Sequence, residues 1–270
     1  MSTRLGRLFG LTLAVALLSG SGVAAAPARA ADMSISEAEA RMVSLINRDR
    51  ERHGLVRLRI DARLMSIARD RSRDMATKGY FSHTQPDGRD VFDILGASSI
   101  RWYSAGEIIA WNNWPTLEDS ATVANNGWMG SDGHRAIITS RSFNYFGVGL
   151  AVASDGKKYW TGVFLRGPDR TGGWVRPASP SVSDGTTDGT KRVAFSWTGG
   201  DVRLQVLTSG FRAYQLQRRI DGGSWQTIRN LSTLRTYALT LAKGRTVEIR
   251  IRARDQAGNW GSWRAVSARS

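Results

Sequence analysis

Apolar residues recur at intervals of three and four in three segments of the first half of the chain. The residues that share the inner face are Ala38, Met42, Leu45 and Ile46 in the first segment, Met65, Ala68, Ser72 and Met75 in the second, and Leu117, Ala121, Ala124 and Trp128 in the third. This spacing is typical of amphipathic helices that pack on a core. The pattern predicts helices over residues 36–53 and 61–78, and a third that begins near Thr116.

Polar residues and glycines mark the ends of these predicted helices. Ser36 and Glu39 have the spacing of a capping box, and Asp61 is the expected N-cap of the second helix. Gly54 and Gly79 follow the last periodic residues of the two helices, where a glycine commonly ends a helix. These signals set the predicted boundaries.

The pattern changes to short β-rich runs after residue 145. Residues 146–154 and 157–166 flank the dipeptide Asp155-Gly156, and Asp-Gly between two such runs favours a β-hairpin. Helices followed by a hairpin predict an α+β domain, which we place at residues 31–167.

The second half of the chain shows no helical periodicity. Residues 168–191 are rich in Gly, Pro, Ser, Thr and Asp, which is typical of a linker, and passage into a first edge strand is left open. Short β-rich runs follow at residues 192–197, 212–220, 224–229, 236–241, 246–255 and 263–268. In the run that contains Glu248, apolar residues alternate with charged ones, so one face is expected to be buried and the other charged. Regular short strands over residues 192–270 predict an all-β sandwich.

The first thirty residues differ in kind from the rest. Arg4 and Arg7 precede a short apolar run at residues 8–18, and the tripeptide at residues 28–30 has the form of a cleavage site. These features predict a signal peptide over residues 1–30 and a secreted, extracellular protein. A membrane anchor is the alternative, but spanning a bilayer needs about twenty apolar residues, and Gly and Ser interrupt this run. No other run is long enough, so we expect no transmembrane segment in the mature chain.

Composition adds two constraints. The chain has no cysteine, which excludes disulfides and zinc sites built on thiolates, so a metal would need histidine and carboxylate ligands. The net charge of +15 is unevenly distributed. Residues 31–170 carry 19 Lys and Arg against 17 Asp and Glu, whereas residues 171–270 carry 16 against 6. This asymmetry predicts two domains with different electrostatic properties.

Two of the three histidines lie beside turn residues and are candidates for a functional site. His83 precedes Pro86-Asp87-Gly88, His134 follows Gly133, and Glu107 lies between them in the sequence, at the start of an apolar segment. Two imidazoles and a carboxylate are a plausible ligand set for Zn²⁺ or another divalent metal with open coordination positions. The spacing is irregular and contains no HExxH, so the alternative is that both histidines are polar caps without a ligand. The third histidine, His53, lies in the last turn of the first helix and is interpreted as structural.

Several short motifs occur in an order that resembles a known family. They are Leu45-Ile46-Asn47-Arg48, Phe81-Ser82-His83, Gly106-Glu107, Trp128-Met129, Gly133-His134-Arg135, Phe146-Gly147-Val148-Gly149 and Tyr159-Trp160. Residues 37–166 resemble the CAP superfamily of cysteine-rich secretory, antigen 5 and pathogenesis-related proteins (the SCP domain), in its bacterial, cysteine-free branch.

The resemblance implies an α-β-α sandwich with a polar cleft that holds His83, Glu107 and His134 and, in several relatives, a divalent metal. Ser131 stands where many relatives carry a second acid. Two further departures are Ile108 and Ile137, where bacterial relatives usually carry Asn. Fewer carboxylates lower the affinity expected for a dication.

The resemblance leaves more than one function open. Family members resemble, variously, lipid or sterol binders, effectors and proteases. We expect a binding protein that takes a lipid or other small ligand in the cleft, with Ser131 among the ligand-binding residues, and that is associated with the cell envelope. The alternative is a secreted metal-dependent hydrolase or protease with the β-sandwich as an accessory module, and a third option is an adhesin with a vestigial cleft. Because no Ser-His-Asp or Cys-His arrangement is readable, we favour a non-enzymatic function.

The β-rich region resembles a fibronectin type III or related immunoglobulin-like domain, through Phe195-Ser196-Trp197 and the segment 250–259. This resemblance does not indicate a particular function, because proteins with many different functions share such sandwiches. Its basic face, with Arg250, Arg252 and Arg254, is a candidate surface for an anionic cell-wall polymer, and the alternative is an ordinary solvated face. Trp260 and Trp263 could stack on sugar rings or pack against the sheet. The sequence leaves the oligomeric state open.

Overall fold

The computed structural model describes residues 33–270. The predicted signal peptide, residues 1–30, lies outside the described residues. Among residues 33–270, no helix combines the length and the apolar character needed to cross a bilayer.

The chain forms an α+β part followed by a β part. The α+β part contains α1 (Ile35–Arg52), β1 (Arg59–Ile60), α2 (Ala62–Lys78), α3 (Val91–Ala97), β2 (Ser104–Asn112), α4 (Leu117–Gly130), α5 (Asp132–Ile138), β3 (Tyr145–Val152) and β4 (Lys158–Arg166). The β part contains β5 (Trp174–Pro177), β6 (Ser181–Asp184), β7 (Thr190–Gly200), β8 (Phe211–Ile220), β9 (Gln226–Ser232), β10 (Thr236–Ala242), β11 (Thr246–Asp255) and β12 (Arg264–Arg269). The coarse expectation of a mixed α+β region followed by strands is therefore confirmed.

The α+β part is built on a four-stranded sheet of order β1-β3-β4-β2. The strands β3 and β4 form the predicted hairpin, and β2 pairs antiparallel with β4. On one face, α1, α4 and α5 bury a cluster that includes Met42, Trp128 and Phe146. On the other face, α2 and α3 pack against Val163 and Leu165 of β4. The sheet therefore lies between two helical layers.

Two glycines of β3 let α2 pack directly on the sheet. A Cβ at Gly147 would overlap the backbone of Leu64 and Met65, and one at Gly149 would overlap the backbone of α2 one turn later. Side chains in a strand point alternately to the two faces, so residues 146, 148 and 150 supply the apolar side chains of the opposite face. The Phe-Gly-Val-Gly motif thus fixes the distance between α2 and the sheet.

The helix ends agree with the sequence signals except at the start of α1. Ser34 and Glu37, and not Ser36 and Glu39, form the capping box, because the N-cap of α1 lies two residues earlier than predicted and Ser34 has the same three-residue spacing to a glutamate. Asp61 caps α2, and Gly79 ends it in the left-handed conformation at a φ of 70°. The spacing of the apolar residues therefore predicts the three long helices but not the starting register of the first.

Two short helices were not predicted from the sequence. The helix α3 has an N-cap at Asp90, and α5 begins immediately after α4, with Ser131 as the single residue between them. Both helices have seven residues, too few for a periodic pattern to stand out.

The β part consists of two sheets that enclose one hydrophobic cluster. One sheet has the order β10-β7-β5 with β6 also paired to β7, and the other has the order β12-β11-β8-β9. The buried side chains include Phe195 and Trp197 from the first sheet and Tyr214, Ile249 and Ile251 from the second. The predicted alternation in β11 is confirmed. Its apolar residues are buried and its charged residues lie on the other face.

The segment between the two parts is ordered by contacts on both sides. It contains β5 and β6, so strands of the β part begin before residue 192. Arg170 donates to Asp61 at the start of α2, with Nη2 2.7 Å from Oδ2. Leu204, from the loop between β7 and β8, is buried among residues of the α+β part. Composition alone did not reveal these contacts, which join the two parts within residues 33–270.

Asp61 provides a test of this junction. Burial on its own would raise the pKa of this carboxyl, but hydrogen bonds from Arg63 and the charges of Arg63 and Arg170 outweigh it and hold the pKa below its usual value. A lowered carboxyl pKa adds stability at pH values above the unfolded pKa of about 3.9, and that stability is lost as pH falls through the folded pKa. We expect Asp61→Asn, which keeps an N-cap residue, to lower the free energy of unfolding at pH 7 by about 1–2 kcal/mol.

The difference between Asp61→Asn and the wild type should shrink as pH falls below about 3.9, where the wild-type carboxyl takes up its proton. Denaturant unfolding of both proteins at pH 7 and at successively lower pH measures this. A difference that stays constant over the whole range would show that the ion pairs of Asp61 contribute nothing.

Candidate functional site

The centre of the site is a carboxylate–arginine pair inside the α+β part. Glu107 lies in β2, and its side chain is only 3% exposed. Arg71, from α2, is fully buried, and its Nε donates to Glu107 Oε1 at 2.9 Å. Burying two charges is tolerated only when they are paired and fully hydrogen-bonded, so each requires the other.

Arg71 also fixes the segment that carries His83. Its Nη1 donates to the hydroxyl of Tyr80, and its Nη2 donates to the carbonyls of Ser82 and His83, each at 2.9 Å. Burial and the hydrogen bond to Asp74 raise the pKa of Tyr80 to about 12, so its hydroxyl stays protonated and donates to Asp74. One guanidinium therefore positions both the carboxylate and the segment that leads to the histidine.

His83 lies directly over the buried carboxylate. Its Nδ1 is 2.7 Å from Glu107 Oε2, and its side chain is 55% exposed. Because an ionised carboxylate can only accept a hydrogen bond, Nδ1 is the donor, and Nε2 is left available to a ligand. We call Arg71, His83 and Glu107 the site triad. It combines an anchored carboxylate with an accessible imidazole.

His134 and Ser131 lie at the junction of α4 and α5. His134 is in the first turn of α5 and is half-buried. Burial, with a smaller contribution from the charge of His83, lowers the pKa of His134. Ser131 makes no side-chain capping bond to α5. His134 is not hydrogen-bonded to the site triad within the described part of the chain.

The arrangement does not fit a resident zinc ion held by His83, Glu107 and His134. Among the described residues, His83 and Glu107 are in contact, but the ligand atoms of all three residues do not lie together within 4.8 Å, as a shared ion would require. Both oxygens of Glu107 are already hydrogen-bonded, one of them to a buried cation. Metal binding by these residues stays a prediction from the sequence, and no chemical step is derived from it.

A pocket of about 370 Å³ opens beside the site triad. Its lining residues are His83, Thr84, Asp90, Val91, Phe92, Ala105, Gly106, Glu107, Ile137 and Phe143. The walls are mainly apolar, with the imidazole and the carboxylate on one side. Its volume falls in the range of about 300–1,000 Å³ that is typical of small-molecule sites.

A larger groove, of about 620 Å³, lies between the two parts of the molecule and includes Leu55, Arg57, Trp174 and Arg203. It contains no histidine, and its carboxylates do not form an imidazole–carboxylate pair. Size alone would favour this groove, but the smaller pocket combines apolar walls with a buried, hydrogen-bonded charge pair. We therefore place the candidate functional site at the smaller pocket.

Sequence reasoning missed two features of the molecule. Arg71 occupies the inner face of α2 together with Ala68 and Met75, and a charged residue at such a position is itself a signal of a buried partner. The second feature is a cluster of Asp169, Asp201 and Asp255, whose ligand atoms lie within 4.8 Å of one another. Their oxygens accept hydrogen bonds from Ser209 and neighbouring groups, so the cluster supports the turn at the junction.

Comparison with known proteins assigns the α+β part. Residues 43–164 match the family model of the cysteine-rich secretory protein family, CAP. The α+β part is a CAP domain. The match includes Arg71, His83, Glu107 and His134, and it ends within β4, so it does not extend to the β part.

Two curated relatives align with about half of the chain, and both are uncharacterized proteins of Bacillus subtilis (strain 168). YkwD is 36% identical over 135 residues, which cover 50% of this chain and 49% of YkwD. The membrane protein YlbC is 31% identical over 128 residues, which cover 47% of this chain and 34% of YlbC. The chain therefore spans half or less of the length of these two relatives.

Solved structures similar to the chain include an SCP-domain protein and an outer surface protein. An extracellular protein containing a SCP domain from Bacillus anthracis is 29% identical, with a TM-score of 0.42, and the match covers 49% of this chain and 42% of that one. An outer surface protein of Borrelia burgdorferi is 17% identical, with a TM-score of 0.45, and the match covers 50% of this chain and 97% of that one.

Proposed function

We propose that this protein is an extracellular binding protein. Its CAP domain takes a small amphiphilic ligand, such as a lipid, in the pocket beside the site triad. Its β part, which we assign to the fibronectin type III-like sandwiches, associates with an anionic polymer of the cell envelope. The observation that carries the proposal is the anchored His83–Glu107 pair at the side of an apolar-walled pocket.

The pocket has the two properties that an amphiphile requires. Val91, Phe92, Ile137 and Phe143 offer apolar surface, and moving an apolar chain from water onto such surface is favourable by about 25 cal/mol per Å². His83 offers a hydrogen-bonding atom at a fixed position, because Arg71 and Glu107 orient it. A ligand with a polar head and an apolar body can use both at once.

Two further features support the extracellular and envelope-associated parts of the proposal. The predicted signal peptide at residues 1–30 would export the chain. Residues 171–270 carry a net charge of +10, which attracts anionic polymers and raises their rate of association. The strand orders of the two sheets, with β7 next to β10 and β11 between β12 and β8, support the fibronectin type III-like assignment.

Phe92→Ser is expected to weaken binding of an amphiphile. Phe92 lines the pocket and is 45% exposed, so its removal costs a ligand part of its apolar contact but leaves the core intact. Losing about 1 kcal/mol of this contact raises the dissociation constant about fivefold. Fluorescence titration with a dansyl-labelled fatty acid measures the change.

Phe81→Ser is the matched control. Phe81 is 46% exposed, lies in the same region of the chain and is not among the pocket-lining residues. We expect this variant to bind the probe like the wild type. Equal binding by all three proteins would place the ligand elsewhere, and turnover of an ester probe that a chelator abolishes would favour the hydrolase alternative.

A further inference from the structure

Arginines and tryptophans alternate in a column on the outer face of the β part. The stacked order is Trp225, Arg250, Trp263, Arg252, Trp260 and Arg254. Successive guanidinium carbons and ring centroids lie between 4.3 and 5.3 Å apart, within the range of cation–π attraction. We call these six residues the ladder.

The sequence builds the ladder from one strand and two connections. Every second residue of a strand faces the same side, so Arg250, Arg252 and Arg254 of β11 stand in a row about 6.7 Å apart. Trp260 and Trp263 come from the connection between β11 and β12, which folds back over the same face. The third indole comes from the turn between β8 and β9.

The guanidinium groups are held in position at one edge. The Nε of Arg250 donates to Gln217 at 2.7 Å, and the Nε of Arg252 donates to Gln215 at 2.8 Å. The guanidinium carbons of Arg250 and Arg252 each also lie between 4.3 and 4.7 Å from the centroids of two indole rings. The Nη groups at the other edge are therefore preorganised. This reduces the side-chain conformational entropy that is lost when an anion binds.

The ladder concentrates positive charge, and its three arginines form no direct ion pair with a carboxylate of the described residues. Glu248 pairs with Arg219, next to the ladder, but no carboxylate of the described residues lies within 4.0 Å of Arg250, Arg252 or Arg254. Burial and the charge of Arg250 lower the pKa of Arg252. Like charges held this close repel one another, and an anion along the row would relieve the repulsion.

We infer that the ladder is a docking surface for an extended phosphodiester polymer without bases, of the polyol-phosphate type. The inference rests on the proposed association of the β part with an anionic envelope polymer. It adds which residues bind the polymer and which chemical group they recognise. A phosphate takes two parallel hydrogen bonds from a guanidinium edge, and an extended polymer presents phosphates repeatedly along the row.

The ladder favours such a polymer over single-stranded nucleic acid or neutral sugars. Proteins bind single strands by stacking bases on free aromatic faces. Trp263 contacts both Arg250 and Arg252, and Trp260 contacts both Arg252 and Arg254, so these indoles are already engaged by cations. Their surface is therefore less available for stacking on a base or a sugar ring.

The test is the binding of purified polyglycerol phosphate to the mature chain, measured by biolayer interferometry at several salt concentrations. We expect Arg250→Gln/Arg252→Gln to weaken binding about tenfold or more and to reduce the slope of log affinity against log salt by about one to two. Arg250→Lys/Arg252→Lys keeps both charges, and it should also weaken binding, because lysine cannot form the planar bidentate contact. Thermal unfolding confirms that each variant is folded, and the lysine pair keeps the test valid if the glutamine pair is unstable.

Arg176→Gln/Arg192→Gln removes the same charge from two exposed arginines of the other sheet and should change affinity less than threefold or so. An equal loss of affinity in this control would overturn the assignment of the ladder as the docking surface. The general attraction of the basic β part for the polymer would remain. No binding of the polymer by the wild type would overturn both. Tighter binding of oligothymidylate, or equal binding of polygalacturonate, would contradict the choice of a base-free phosphodiester.

Discussion

Replacing Arg71 with methionine is expected to lower the free energy of unfolding by about 3–5 kcal/mol, because it leaves the carboxylate of Glu107 buried without a counter-charge. The change also removes the donors to Tyr80, Ser82 and His83. The segment that carries His83 should then lose its fixed position, so binding in the adjoining pocket should weaken as well. Denaturant unfolding and titration with the dansyl-labelled fatty acid measure the two effects.

Two further variants make this prediction specific. Arg73→Met changes an arginine of the same helix whose side chain is 66% exposed, and it should alter stability by less than about 0.5 kcal/mol. Arg71→Met/Glu107→Leu removes both buried charges, so part of the lost stability should return while the hydrogen bond to His83 does not. If Arg71→Met behaves like Arg73→Met, the buried pair does not organise the site.

Gly149→Ala is expected to destabilise the CAP domain by about 3 kcal/mol or more. The added methyl group would overlap the backbone of Ala68 and Arg69, so the helix α2 would have to move away from the sheet. Because α2 also carries Arg71, this movement should disturb the site triad. Thermal unfolding and the dansyl-probe titration measure both consequences.

Gly127→Ala is the control for this substitution. Gly127 lies in α4, and a Cβ there meets nothing within 4 Å. Alanine is a better helix former than glycine, so this variant should be as stable as the wild type or more stable by up to about 1 kcal/mol. Similar stabilities for Gly149→Ala and Gly127→Ala would mean that α2 does not pack on the sheet as closely as described.

The periodic parts of the fold could be predicted from the sequence because burial repeats along them. The inner face of α4 is buried as predicted, and β3, β4 and β11 lie where the apolar alternation and the Asp-Gly turn indicated. The short helices α3 and α5 gave no such repeat. The starting register of α1 depended on which of two similar Ser-x-x-Glu pairs formed the cap, and local spacing does not distinguish them.

The candidate site was only partly visible in the sequence. His83 and Glu107 were identified because they occur in the family motifs. The structure brings the two side chains within hydrogen-bonding distance of each other. Arg71 was missed because its partners lie 9 to 36 residues away and become neighbours only when α2 packs on the sheet. The same limit applies to the ladder. The row of arginines was readable from the alternation, but the tryptophans between them depend on how two connections fold over the sheet.

The most direct test of the account is to map the ligand pocket by amide chemical shifts. Adding an unlabelled fatty acid to ¹⁵N-labelled protein should shift the amides of Thr84, Gly106, Glu107 and Ile137, which surround the pocket beside the site triad. These shifts should saturate with the dissociation constant measured by fluorescence and should be smaller in Phe92→Ser. Shifts confined to the groove that contains Leu55 and Trp174, or no saturable shifts at all, would contradict the claim that the site triad and its pocket form the binding site.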